Sequence, residues 1–287
     1  MMQLPVLDKR WTDRRDRASA LAERWSFAAE VLSFYRALLD VQERAFDAAL
    51  TDQPKREQIA AYAAELILPV VIEASVASGP PAMTESVLSA FHEAELEPML
   101  EAWLRGENLG AVERYLARAS AGPVLEAIAP SFETVDSRED GVCPQCGGLP
   151  QLSYFAPSDE DLVTAHRHLL CSRCAWTWKF PRLMCPSCGE TETKELTIYG
   201  EIGTTQAELS ENIIKSRGNP AASKLPPAQF PHMRVDGCKS CSTFTLCLDL
   251  ERDGRAVPVV DEIAAIPLSL YAVERGLNKI VPNLMGF

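Results

Sequence analysis

No secretory leader is legible in this chain. Residues 1–20 carry Asp and Arg throughout, where a leader needs an uninterrupted apolar core. Arg14-Arg15 is followed by Asp16-Arg17 and an amphipathic helical pattern, which excludes a twin-arginine reading. Long hydrophobic runs are missing too. The most apolar stretch, 60–77, is interrupted by Glu65 and Glu73, and a span needs roughly 20 mostly apolar residues. The expectation is a soluble, cytoplasmic protein with no membrane span. Positive charge is scarce, with 28 Lys/Arg against 40 Asp/Glu and a net charge of −12. The deficit sits mainly in residues 1–140, which hold 14 basic and 24 acidic residues. A nucleic-acid binder must neutralise phosphates with a basic surface, so this balance argues against such a partner. One local exception gathers Arg167, Arg173, Lys179 and Arg182. Catalytic signatures are absent as well: no Gly-x-Ser-x-Gly, no phosphate-binding loop, no dinucleotide fingerprint and no His-Glu-x-x-His. No enzymatic activity is expected.

Cysteine is what the chain does have. Eight of its nine cysteines form four Cys-x-x-Cys pairs: Cys143/Cys146, Cys171/Cys174, Cys185/Cys188 and Cys238/Cys241. Each such turn aims two sulfurs at one point, and a tetrahedral site needs two turns. Four turns therefore supply two complete sulfur cages, for two metal ions per chain. Disulfides are the competing reading, and a reducing compartment disfavours them. Sulfur-only tetrahedral sites select iron or zinc without choosing between them. Closed cages leave no position for substrate, which points away from a catalytic metal. His166, His168 and His232 lie near the knuckles, but eight sulfurs already fill two sites. Cys247 stands alone among apolar neighbours and reads as a buried thiol.

The fold class expected is α+β: an N-terminal helical bundle, tandem rubredoxin-like or zinc-ribbon modules, and a C-terminal helix. Residues 1–133 read as helical. Apolar residues recur at three- and four-residue steps from Arg17 to Leu50, which predicts one long helix. Further helices are predicted over 57–76, from Thr84 to about Leu104 with Gly106 as the stop, and over 109–119, with Gly122-Pro123 as a break. Residues 134–141 read as a charged linker. Beyond it lie a first metal module, 142–184, a second, 185–256, and a C-terminal helix and tail, 257–287. Strands are predicted at 151–155, 168–170, 176–180, 195–199 and 244–250. Residues 203–231 read as an insertion. From 260 to 280 one helix is predicted, with Pro267 able to delay or kink it.

The metal region contains one unit twice. Cys143-Pro-Gln-Cys146-Gly147 matches Cys185-Pro-Ser-Cys188-Gly189, while the second turn of each unit lacks both Pro and Gly. The repeat favours sequential pairing, with turns one and two forming one site and turns three and four the other; a cross-braced arrangement stays open. Glycine after the second cysteine suits a positive φ. Alternation from Trp176 through Trp178 and Phe180 to Arg182 would put a ring against the first sulfur cage. Arg182 would then be poised to couple metal site and partner.

Asp140-Gly141-Val142-Cys143-Pro-x-Cys146-Gly147, then Arg167-His168-Leu169-Leu170-Cys171-x-x-Cys174, Trp178, Arg182 and Cys185-x-x-Cys188-Gly189, resemble the formate dehydrogenase accessory protein family, FdhE-type. Pro258-Val-Val-Asp261-Glu262-Ile263-Ala264 looks like the start of that family's C-terminal helix. The chain departs from the pattern at Asp236-Gly237, ahead of the fourth knuckle, and in the length of the insertion. The resemblance implies a cytoplasmic assembly factor with iron in rubredoxin-like sites. Its client would be the catalytic subunit of an exported respiratory formate dehydrogenase, with Arg182, Trp176 and Trp178 as the candidate partner-binding residues. Two other functions fit a cysteine-ribbon protein: nucleic-acid or transcription-linked binding, and rubredoxin-like redox or thiol exchange.

Overall fold

The computed structural model describes residues 9–134, 141–156, 165–201 and 227–287. Most of the expected linker (135–140) and of the expected insertion (203–226) lies outside the described residues. Among the described residues, seven α-helices precede the metal region: α1 (Arg10–Arg24), α2 (Ala29–Asp52), α3 (Ile59–Tyr62), α4 (Leu68–Ser78), α5 (Pro81–Glu93), α6 (Leu96–Arg105) and α7 (Ala111–Ile128). The α+β architecture expected from the sequence is borne out. Several helix boundaries are not.

The single helix predicted from Arg17 to Leu50 is two. It breaks at Trp25, whose backbone is extended (φ −127°) and whose buried ring meets Phe230 at 4.6 Å. The helical period continues on both sides, so the apolar stripe hides the break. The predicted 57–76 helix extends over Arg56–Ser78, but Ala63–Ile67 widens into a π turn just ahead of Pro69. Proline has no N–H to donate, and its ring would meet the carbonyl four residues back. One wider turn absorbs that conflict. By length and composition this run could cross a membrane; here Ile59, Ala63, Leu68, Val71 and Ile72 are buried against the other helices. The predicted 84–104 helix divides at Ala94, which is extended.

Gly122-Pro123 breaks nothing: α7 runs straight through it. Pro123 releases the Ala119 carbonyl, and Gln42 of α2 faces it, Nε2 to O 3.5 Å. A neighbouring helix thus supplies the donor that proline removed. Gly106 ends α6 as predicted, with φ +88°.

Seven strands follow among the described residues: β1 (Pro150–Phe155), β2 (Arg167–Cys171), β3 (Thr177–Lys179), β4 (Leu196–Gly200), β5 (Met233–Cys238), β6 (Thr243–Asp249) and β7 (Asn278–Lys279). They form one sheet in the order β3-β2-β1-β6-β5-β4, with β7 beside β6. Within each module the pairs are antiparallel; the two modules join through the parallel pair β1·β6, Ser153 opposite Cys247. Strand β5 escapes the sequence pattern because Asp236-Gly237 reads as a turn. Gly237 suits the close approach there, since a Cβ would sit 2.8 Å from Leu277 Cδ1 and Thr197 Oγ1 and force those side chains to shift. The predicted C-terminal helix is also two, α8 (Pro258–Ala264) and α9 (Ile266–Glu274). They part at Ala265, ahead of Pro267, and the chain leaves α9 through Gly276 (φ +80°) into β7.

One continuous apolar core runs from Leu21, Leu38 and Leu116 of the helices through Cys143 and Cys171 to Leu246 and Val260. Polar clamps cross the same boundary. Arg17 of α1 donates to Asp261 of α8, and Arg118 of α7 donates to the Pro282 carbonyl (2.8 Å).

Candidate metal centres

The eight knuckle cysteines gather into two groups, Cys143/Cys146/Cys171/Cys174 and Cys185/Cys188/Cys238/Cys241. Within each group all four sulfurs lie within 4.8 Å of one another. The pairing is sequential, not cross-braced. In each module the opening knuckle precedes the first strand and the second knuckle turns the hairpin, β2 to β3 or β5 to β6.

Sulfur spacing tests whether these groups fit a metal. The contacts Cys143–Cys174, Cys146–Cys171, Cys185–Cys241 and Cys188–Cys238 measure 3.6, 3.4, 3.7 and 3.7 Å. A disulfide would need about 2.05 Å, and all nine cysteines are free. A tetrahedron with metal–sulfur bonds of about 2.3 Å has edges of about 3.8 Å. The donors therefore fit a four-sulfur metal site at both places, and each group can hold one ion, iron or zinc by its donor chemistry.

Local backbone geometry explains why the knuckles form. The Arg173 and Ser187 amides each lie 3.4 Å from a cysteine sulfur, Cys171 and Cys185 respectively. The residue after the second cysteine of every knuckle has positive φ: Gly147 (73°), Ala175 (54°), Gly189 (75°) and Ser242 (55°). The sequence exposes this at the two glycines only. Left-handed backbone costs a residue with a Cβ about 1–2 kcal/mol relative to glycine. Gly147→Ala is therefore expected to lower the melting temperature and Ala175→Gly to leave it equal or raise it. Thermal melts of both metal-loaded variants check this; parallel losses would show that the left-handed turn is not what those positions require.

The groups differ in setting. Every cysteine of the first is buried, with Cys143 fully enclosed. In the second, Cys188 is exposed and Cys241 half-buried. The first group abuts the helices. Arg173, inside its knuckle, donates to the Leu104 carbonyl at the end of α6 (2.9 Å), with the Trp103 ring 5.8 Å away. Arg118 faces it from α7; burial pulls that guanidinium's pKa down, against the opposing pull of Glu262 and Cys171. Within the cage, hydrogen bonds from Cys146, Cys171 and Cys174 push the Cys143 thiol down, while Cys143, Cys146 and Cys171 push Cys174 up. Four sulfurs this close cannot all ionise unaided, and a cation relieves that conflict. Cys247 sits apart, 1% exposed, its thiol pushed up to about 12 by burial.

The other candidates are placed as follows. Trp176 is partly exposed and lines a groove that Cys174 also lines. Trp178 packs partly buried against the core, across from Leu169. Strand β3 spans only three residues, so Trp176 and Phe180 fall off its ends and the expected alternation does not carry through. Arg182 lies in a cleft with Cys185 and Cys238, beside the second group rather than the first; it donates to the Ala165 carbonyl (3.0 Å) and covers the Phe155 ring. His232 is buried on Asp261 (3.0 Å), away from both sulfur groups. The local basic stretch is dispersed: Arg167 is buried and paired with Asp236, and Arg173 is held on α6.

No family model matches the chain. Among curated proteins, an FdhE homologue from Aquifex aeolicus is 27% identical over 212 residues, 73% of this chain and 65% of that protein. An FdhE homologue from Pseudomonas aeruginosa is 25% identical over 151 residues, 53% of this chain and 41% of that protein. The matches thus span less than two thirds of these relatives' length. The crystal structure of the FdhE protein from Pseudomonas aeruginosa superposes with a TM-score of 0.64 at 22% identity, covering 96% of this chain and 94% of that one. Sequence relatives and fold agree with the resemblance carried by the knuckles: the chain is similar in sequence to FdhE homologues and shares its fold with an FdhE protein.

Proposed function

We propose that this chain is a cytoplasmic accessory factor for formate dehydrogenase assembly. In this reading it holds one ion, iron or zinc, in each sulfur cage. It engages the catalytic subunit of a respiratory formate dehydrogenase and supports its maturation before export. The helical part (1–133) and the C-terminal segment (257–287) frame the two metal modules, and Trp176, Trp178 and Arg182 serve the partner. The observation that carries this is the pair of closed four-sulfur cages in a chain whose sequence relatives bear the FdhE name. Closed cages leave no ligand position for substrate, so the metals shape a surface and no enzymatic step is assigned to them. A nucleic-acid role finds little support, because the arginines of the local basic stretch are turned inward or tied to backbone carbonyls.

One observation favours a second role. Cys188 is exposed, and an accessible thiolate at a metal site is open to redox change or thiol exchange. The experiment for the first reading mixes the anaerobically purified, metal-loaded chain with the purified catalytic subunit on a sizing column. A complex is expected, with two metal ions per chain by elemental analysis. Separate elution of the two proteins would overturn the assembly role. A reversible absorption change on reduction, without a complex, would leave the redox reading in its place.

A further inference from the structure

Three arginines converge on a cleft between the first and second modules, and the metal cages do not account for them. The cleft has a volume of 380 Å³ and is walled on one side by Cys185 and Cys238. Arg182 and Arg234 lay their guanidinium groups over the same ring, Phe155, at 4.7 and 5.1 Å. Arg167 also lines it and is 2% exposed. Asp236 is the one carboxylate among the described lining residues, and it pairs with Arg167 and Arg234. Besides the Phe155 ring, Arg182 meets the neutral Ala165 carbonyl, and among the described residues no carboxylate pairs with it. No arginine side chain among the described residues donates to a cage sulfur either. A cleft with three arginines and one aspartate stands out in a chain of net charge −12.

A further feature narrows the occupant. At the mouth, Leu183 and Ile198 are 60% and 61% exposed, a pair of apolar lips beside a cationic interior. An inorganic oxyanion would occupy a fraction of this volume and leave the lips unused. A polynucleotide would approach against the field of the whole chain.

We infer that this cleft docks an acidic segment of the protein partner. The segment places an Asp or Glu carboxylate against Arg182, with an adjacent apolar side chain between Leu183 and Ile198. This inference rests on the assembly reading, for which it names the contact surface.

Fluorescence anisotropy of the full, metal-loaded chain tests it, using a short labelled peptide of alternating Glu and Leu and the same peptide with Gln for Glu. The acidic peptide is expected to bind at least about tenfold more tightly, and its affinity to fall as salt is raised. Arg182→Gln is expected to weaken binding about tenfold. Leu183→Glu, on an exposed turn where folding is not at stake, is expected to do the same with metal content unchanged. Equal binding of the two peptides, or no effect of Leu183→Glu, overturns the inference. So does displacement of the peptide by equimolar inorganic phosphate or single-stranded oligonucleotide. Wild type and Leu183→Glu are also compared for capture of the catalytic subunit. Equal capture sinks the cleft and spares the assembly role. Peptide binding that behaves as expected, without capture by wild type, sinks the assembly role and spares the cleft.

Discussion

Replacing Cys143 by serine is expected to remove one metal ion and most of the helical signal together, whereas replacing Cys188 is expected to remove one metal ion alone. The difference follows from where the cages sit. Cys143, Cys146, Cys171 and Cys174 belong to the same buried cluster as Leu21, Leu38 and Leu116 of the helices. Arg173, held within the second knuckle, ties that cage to the end of α6. A structural metal contributes on the order of 10–16 kcal/mol to small ribbon modules, and whole domains are stable by about 5–15 kcal/mol. Losing the first cage therefore removes an amount comparable to everything that holds the shared core. The second cage is peripheral, with Cys188 exposed and its opening knuckle ahead of the edge strand β4. Its loss should loosen the knuckles and β4 while the core persists. Circular dichroism melts at 222 nm, with elemental analysis of the same samples, check this. If Cys143→Ser keeps a full helical transition while binding one ion, the helices fold without the cage. A chelator titration gives an independent order of events: the exposed site should empty first with little helical change, and the collapse should accompany the second ion.

The legibility of this chain tracks the range of the interactions involved. The cages were legible because a Cys-x-x-Cys turn is a local object, and the repeat of its flanking residues carried the pairing. Helix existence was legible from the apolar period, and the stop at Gly106 from its left-handed backbone. What stayed hidden depends on partners distant in sequence. Gly122-Pro123 reads as a break until Gln42, 77 residues before Ala119, supplies the missing donor. Asp236-Gly237 has the composition of a turn, yet it lies within β5, where Thr197 and Leu277 press on the glycine. Arg182 stands three residues before Cys185 and within an aromatic alternation, yet what holds it is the Ala165 carbonyl and the Phe155 ring, both distant in sequence. The fusion of two modules through β1·β6 has no sequence signature, since parallel pairing leaves no hairpin to read.

Asp261→Asn is expected to lower stability by about 3–5 kcal/mol without altering metal content at room temperature. Asp261 is wholly buried and accepts from four donors: Arg17 Nε (2.9 Å) and Nη2, His232 Nε2 (3.0 Å) and the Val257 amide (2.8 Å). These come from α1, from the residue before β5 and from the start of α8, so one carboxylate joins the helical layer, the sheet and the C-terminal helices. Asparagine has nearly the same shape but offers one acceptor oxygen and an NH2 group that faces Arg17 donor to donor. The guanidinium, itself 8% exposed, would keep only Asp253 as an anionic partner (2.9 Å). Leaving a buried charge with half its compensation is far more costly than replacing the whole pair by apolar side chains of similar volume. The double variant Arg17→Met/Asp261→Leu should therefore lose less than Arg17→Met and Asp261→Leu made singly add up to, which makes those two single effects non-additive. In a chain of this size the single change should shift Tm on the order of 10 °C. Melts of Asp261→Asn, of those two single variants and of the double variant decide it. If Asp261→Asn melts within about 2 °C of wild type, the carboxylate is a bystander and packing alone joins the layers. If the double variant is no better than the worse single one, the site needs the ion pair itself, and α1 is registered on α8 by charge rather than by shape.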